Sequence, residues 1–227
     1  MDKFASAKLI EPNGYFCLNE MFDRTTSAAL CRRLDHFATA HPGRKALIPD
    51  EFFDEFVVNP VLLECAERLL GDCILLHHAN GRAMKTEALP QEWHHDYDGP
   101  RPWEPSDPLM IHFMIYPAGL DSTNGPLMIV PGSHRRQVDR DYPRQYGVTT
   151  IEGTVELCGG PGLVVVINSA LWHARKKPAQ LPRYDLNVSF CQPGLRRPER
   201  EAWLTVLDGL GGAVSDGRRS LFRASTA

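Results

Sequence analysis

Gly162-Leu163-Val164-Val165-Val166-Ile167 contains the longest unbroken apolar run of the chain, and its reading decides the fold class. Side chains branched at Cβ crowd a helix but pack well on a pleated surface, so this run reads as a strand. Working outward, further short apolar or alternating runs lie at 73–79, 82–86, 92–97, 109–116, 126–130, 153–157 and 184–190, split by Gly, Pro and Asp. Strands at such regular spacing predict a sandwich or barrel. Residues 98–108 hold Pro100, Pro102, Pro105 and Pro108 and cannot keep a hydrogen-bond ladder, so they form a loop beside whatever the preceding strand carries.

Ahead of the strands the texture is helical. Thr25 or Thr26 can cap a helix with Leu30, Leu34, Phe37 and Ala38 on one face, stopped by His41-Pro42-Gly43. Asn59 caps a second, with Pro60 first, a body from Val61 to Leu70, and Gly71 as the stop. Pro198 opens a last helix to about Leu207, and the tail 211–227 is expected to be loose. The expected organisation is a single, mainly β domain over 1–210, with the N-terminal helices packed on one sheet.

The 227 residues are 43% hydrophobic and 23% charged, which excludes a mostly disordered chain. A formal net charge of −3 gives no bulk attraction for nucleic acid or an anionic membrane, and neither is an expected partner. No apolar run approaches the roughly 18 residues that span a bilayer. Asp2, Lys3, Lys8 and Glu11 interrupt the N-terminus, so no signal peptide is readable there. Cys17, Cys31, Cys65, Cys73, Cys158 and Cys191 are scattered, with no close pair of metal-ligand spacing. Reduced thiols in a cytoplasmic protein are the expectation.

The chemistry concentrates in Glu92-Trp93-His94-His95-Asp96-Tyr97. On a strand, side chains two apart share a face, so His94 and Asp96 point one way and His95 the other. A third ligand could come from Trp172-His173-Ala174. Two His and one carboxylate on one side of a metal form the facial arrangement of non-haem Fe(II) oxygenases. The alternative is local: His94 capping a loop and Asp96 starting a turn. Arg183 follows His173 by ten residues and opens a strand where it shares a face with Asp185, Asn187 and Ser189. A guanidinium turned into a barrel needs an anion, and a dicarboxylic cosubstrate chelating the metal at one end would supply it at the other. A surface Arg after Leu181-Pro182 is the alternative.

With Asn124-Gly125-Pro126-Leu127-Met128-Ile129-Val130-Pro131-Gly132-Ser133-His134-Arg135 and Asn187-Val188-Ser189-Phe190, these stretches resemble the phytanoyl-CoA dioxygenase-like family of iron(II)/2-oxoglutarate oxygenases. The resemblance implies a double-stranded β-helix, the jelly-roll of the cupins. It implies His94, Asp96 and His173 as iron ligands and Arg183 on the distal carboxylate of 2-oxoglutarate. Lys85 sits where relatives often carry a lysine that contacts the same cosubstrate; a solvated strand Lys is the alternative. The implied cofactors are Fe(II), 2-oxoglutarate and O2, with ascorbate helpful in vitro. The implied reaction hydroxylates an unactivated C–H bond of a small-molecule metabolite and releases succinate and CO2. Related halogenases carry Gly or Ala in place of Asp96, so hydroxylation, desaturation or ring formation is expected over halogenation. Two departures stand out: Arg175 where relatives often have Ser, and Gly162-Leu163 where they have Gly-Asp.

Among the remaining candidates, His77 and His78 are adjacent, so one faces in and one out. His77 shares parity with Lys85 if no bulge intervenes, and could line the pocket, as could His112. Arg175 is a further candidate for the substrate site. Trp103 could close over a bound ligand, with packing on the N-terminal helices as the alternative. His134 reads as a turn residue that organises the fold, and Ser133 and Ser169 lack the pattern of a nucleophile elbow. Two other classes share the fold: a cupin-like metalloenzyme that does not use 2-oxoglutarate, and a noncatalytic small-molecule binding protein.

Overall fold

The computed structural model describes residues 10–43, 45 and 51–195. In chain order the elements are α1 (Ile10–Asn13), β1 (Tyr15–Leu18), α2 (Arg24–Ala40), α3 (Glu51–Val57), α4 (Pro60–Leu70), β2 (Leu75–Met84), β3 (Gln91–His94), β4 (Met110–Tyr116), β5 (Leu127–Ile129), β6 (Val155–Leu157), β7 (Leu163–Asn168), β8 (His173–Arg175) and β9 (Arg183–Cys191). Two antiparallel sheets face each other, a five-stranded one in the order β1-β7-β4-β9-β2 and a four-stranded one in the order β3-β8-β5-β6. This is the expected double-stranded β-helix with helices on one sheet.

The opening run is β7, an interior strand paired with β1 and β4. Alternation sorts its side chains into two cores. Val164 and Val166 join Ile111, Phe113, Leu186, Val188 and Phe190 beneath Leu34, Phe37, Phe53 and Leu62 of the helices. Val165 and Ile167 face the other sheet with Met114, Leu127 and Ile129. The helices therefore cover the outer face of the larger sheet, and the space between the sheets is left for a site.

Asn59 caps α4 as expected, its side chain accepting from the backbone N–H of Val61 and Leu62 at 3.0 and 3.3 Å. The cap of α2 is Asp23 rather than Thr25 or Thr26: its carboxylate accepts from Thr26 N at 2.7 Å, and both threonines lie in the first turn. The runs 73–79 and 82–86 are one strand, because Asn80-Gly81, a pair common in turns, continues the ladder opposite Asn187 and Leu186. The short β1 and β8, and the helices α1 and α3, add to the elements predicted. The helix from Pro198 and the tail 211–227 lie outside the described residues. Among the described residues no helix is long and apolar enough to cross a membrane.

Candidate metal centre

His94 ends β3 and faces His173, the first residue of β8, across the ladder. Their rings lie 4.2 Å apart between centroids. Each Nδ1 meets a backbone carbonyl, His94 that of Glu92 at 2.8 Å and His173 that of Leu171 at 3.0 Å. A carbonyl only accepts, so Nδ1 carries the proton in both rings and Nε2 presents a lone pair. Asp96 arrives from beyond the end of β3, held by its N–H to Ser169 O at 2.8 Å. Its Oδ1 is 3.7 Å from His94 Nε2 and its Oδ2 is 3.5 Å from His173 Nε2. The ligand atoms of the three residues lie within 4.8 Å of one another.

Protonation favours a metal as well. Burial first, and then the neighbouring imidazole of His173, push His94 down to about 3. For Asp96 burial pushes upward, but the imidazoles of His173, His112, His94 and His78 outweigh it and hold the carboxyl well below the usual range. A neutral imidazole and an ionised carboxylate are the forms that ligate divalent transition metals. The three residues fit a single iron ion with open positions on the cavity side.

His112 is fully buried and sits behind Asp96, Nε2 to Oδ2 at 3.5 Å, with its Nδ1 against Ser189 Oγ. Ser189 Oγ in turn meets His78 Nε2 at 2.9 Å. His112 thus lies behind the carboxylate, its Nε2 making no hydrogen bond among the described residues. Burial is also the main cause that takes it down to about 4.

These buried rings set a pH dependence. A histidine whose pKa is depressed on folding takes up its proton more readily when unfolded. Stability is then intact above the unfolded value of 6.5 and lost as pH falls toward the folded values of about 3 and 4. Asp96, also depressed, acts in the same direction below its unfolded value. The metal-free protein should show a melting temperature that drops steadily from pH 6.5 to 4; a flat profile by differential scanning calorimetry would contradict the buried neutral rings.

Beside the triad lies a cavity of about 280 Å³, bordered by His77, His78, Asn80 and Arg82 of β2, by Arg183, Asp185 and Asn187 of β9, and by Arg175 of β8. Arg183 is 2% exposed. It donates to the Gly125 carbonyl and to Tyr116 Oη, the latter at 3.2 Å, and its Nε lies 3.6 Å from Asp185 Oδ2. Gly125 has φ +82°, and a Cβ there would lie 2.6 Å from the Lys176 carbonyl oxygen, which explains the glycine of the long motif. The rest of that motif fastens the chain. Ser133 Oγ accepts from the N–H of Trp172, next to the ligand candidate His173, and His134 Nε2 meets Glu11 O at 2.9 Å. His134 is structural, as expected.

Three site expectations need correction. Lys85 is exposed, in the turn after β2, and does not border the cavity. The cause is a bulge between Leu76 and His78, which inserts His77 into the ladder and reverses the parity of the strand. His78, Asn80 and Arg82 then face the cavity, and Lys85 falls on the helix side with Ala79 and Ala83. For the same reason both His77 and His78 border the cavity, not one of them. Trp103 does not close over it: it is 5% exposed, donates from Nε1 to His134 O at 2.6 Å, and packs 5.0 Å from the Tyr97 ring. Arg82 and Gln91 also belong to the site, as does Asp185 on the Arg183 face; counting in twos from His78 reaches Arg82 once the bulge is known.

A jelly-roll with two histidines and an aspartate converging between its sheets is the architecture of single-metal β-helix proteins. The family model for phytanoyl-CoA dioxygenase (PhyH) matches residues 11–176, and the chain belongs to that family. The match includes all three metal-ligand candidates and ends before Arg183. The ectoine dioxygenase of Bordetella bronchiseptica is 26% identical over 165 residues, covering 60% of this chain and 52% of that protein. Dioxygenase af480 of Aspergillus fumigatus is 26% identical over 126 residues, 55% of this chain and 39% of that protein. The chain thus spans about half or less of the curated relatives it matches. Among solved structures, HygX from Streptomyces hygroscopicus with nickel and 2-oxoglutarate bound superposes with a TM-score of 0.69 at 15% identity, over 85% of this chain and 88% of that one. EctD from S. alaskensis with bound Fe gives 0.67 at 19% identity, over 82% and 75%. At these identities the likeness is one of fold.

Proposed function

We propose that the chain is an Fe(II)- and 2-oxoglutarate-dependent dioxygenase that hydroxylates an unactivated C–H bond of a small-molecule metabolite, with release of succinate and CO2. The observation that carries this is the conjunction of the His94, Asp96 and His173 donors with a buried arginine, Arg183, in one cavity. Iron held by the three donors supplies oxygen activation coupled to decarboxylation of the 2-oxo acid. The protein's own part is physical. Two short strands and the loop after β3 hold the ligands on one side, leaving the cavity side open. The Nδ1 bonds fix both rings, and His112 lies behind the carboxylate. Arg183, desolvated between the sheets, receives a carboxylate through charge-assisted hydrogen bonds. With a carboxylate at position 96 the protein fills the third ligand place, which favours hydroxylation, desaturation or ring formation over halide transfer. Six cysteines with no disulfide between them support a reducing, cytoplasmic setting.

The test is turnover. Purified protein with Fe(II), ascorbate and O2 should convert 2-oxoglutarate to succinate slowly alone, and faster with its substrate, identified by mass spectrometry against a metabolite library. Metal binding, zinc included, without any succinate would instead favour a cupin-like enzyme of other chemistry or a binding protein. Arg183→Ala removes charge-assisted bonds worth roughly 1.5–3 kcal/mol. It should raise the 2-oxoglutarate requirement about 10- to 100-fold while iron binding persists. Lost iron with unchanged cosubstrate affinity would show that Arg183 serves the metal side instead.

A further inference from the structure

We infer that Arg175 is a second guanidinium for the far carboxylate of the dicarboxylic cosubstrate, gripping it together with Arg183; this rests on the function proposed above. Strand register places both at the same end of the cavity. On β8, Arg175 shares the inward face with the ligand candidate His173, two residues away, while Ala174 packs on the other side. Across the gap, β4 carries His112 behind Asp96, then Met114, then Tyr116 under the Arg183 guanidinium. The cavity therefore runs from metal donors, past the apolar Met114 and Leu127, to the arginines. That order matches a molecule with a chelating head, a methylene middle and an anionic tail.

Charge at the tail end is unbalanced. Arg82, Arg175 and Arg183 border it, and Asp185 is the one carboxylate among them, 3.1 Å from Arg82 Nη1 and 3.6 Å from Arg183 Nε. The Arg175 side chain has no ion pair or hydrogen bond among the described residues, and its Nη1 is buried without a partner. As a guanidinium, Arg175 is a cation at neutral pH. Arg175 is half-buried, and a planar carboxylate between the two guanidinium groups would meet its buried Nη1 together with the fully buried Arg183. Arg175, with Arg82 and Gln91, also borders a neighbouring cavity beneath the turn after β2. An anion held there would use Arg175 without Arg183.

The experiment is calorimetric binding to Mn(II)-loaded protein of 2-oxoglutarate and of 2-oxobutyrate, which has the same chelating head but no far carboxylate. Wild type should prefer 2-oxoglutarate. Arg175→Ala should lose about tenfold or more of that preference, with 2-oxobutyrate and Mn(II) affinities unchanged, and Arg175→Lys should restore part of it. Arg175→Gln, close in size and uncharged, replaces the alanine variant should that one fail to fold. An Arg175 variant with wild-type preference overturns the inference and leaves the function standing, with Arg175 serving the neighbouring cavity. A wild type that binds Mn(II) but not 2-oxoglutarate overturns both.

Discussion

Asp96→Ala should fold, yet neither retain iron through dialysis nor form succinate above background. The carboxylate sits among three imidazole nitrogens, from His94, His112 and His173, each within 3.7 Å of one of its oxygens. Removing it leaves two neutral ligands and no anionic one. Losing a mere supporting partner of a ligand typically costs about 10- to 100-fold in metal affinity or activity. Loss of a charged ligand should exceed that, on the order of a thousandfold in turnover, extrapolating from the same comparison. The fold should tolerate it, because the chain at residue 96 is anchored by its backbone N–H to Ser169 O, which the substitution keeps. Iron content and succinate formation measured together decide the matter: unchanged oxidation in the variant would remove Asp96 from the ligand set.

Trp103→Ala should be the most destabilising single change in the loop 98–108. The indole is buried against Tyr97 and Ala170, and its N–H is satisfied by His134 O. The side-chain amide of Gln137 accepts from Trp103 N at 3.1 Å and donates to Trp103 O at 2.7 Å, while Arg101 pairs with Asp139. A buried Trp→Ala change costs about 3–5 kcal/mol. For a domain of this size that is a fall of roughly 10 °C in melting temperature. Succinate formed per substrate oxidised should stay near wild type at low temperature. Normal stability with uncoupled 2-oxoglutarate consumption would reinstate Trp103 as a lid.

The strands, and the convergence of His94, Asp96 and His173, are legible because each rests on local pattern. Val164 and Val166 against Val165 and Ile167 is alternation any strand shows, and His94, Asp96 and His173 belong to recognisable stretches. What misled was longer in range. Lys85 rests on resemblance to relatives, His77 on sharing its parity, and Trp103 on lying close after Asp96, and all three readings assume a regular backbone. The bulge at His77 breaks the first two, and the anchoring by His134, 31 residues away in sequence, breaks the third. β1 and β8 were missed because runs as short as Tyr15–Leu18 and His173–Arg175 show too little alternation to count. Arg82 escaped notice because its face depended on the same bulge, while its partner Asp185 lies 103 residues on.

The bulge also bears on how this strand can change in descent. Its ladder runs Leu76 to Phe190 and then His78 to Ser189, so the register skips His77. Deleting it would close a regular ladder in which Leu76 and Ala79 still face the helices and His78, Asn80 and Arg82 still face inward. The cavity would lose one imidazole and no other side chain would change sides. A single codon gained or lost at this point therefore edits the chamber wall without disturbing the scaffold. At any other position inside β2, the same insertion or deletion would turn part of the arginine face into the hydrophobic core.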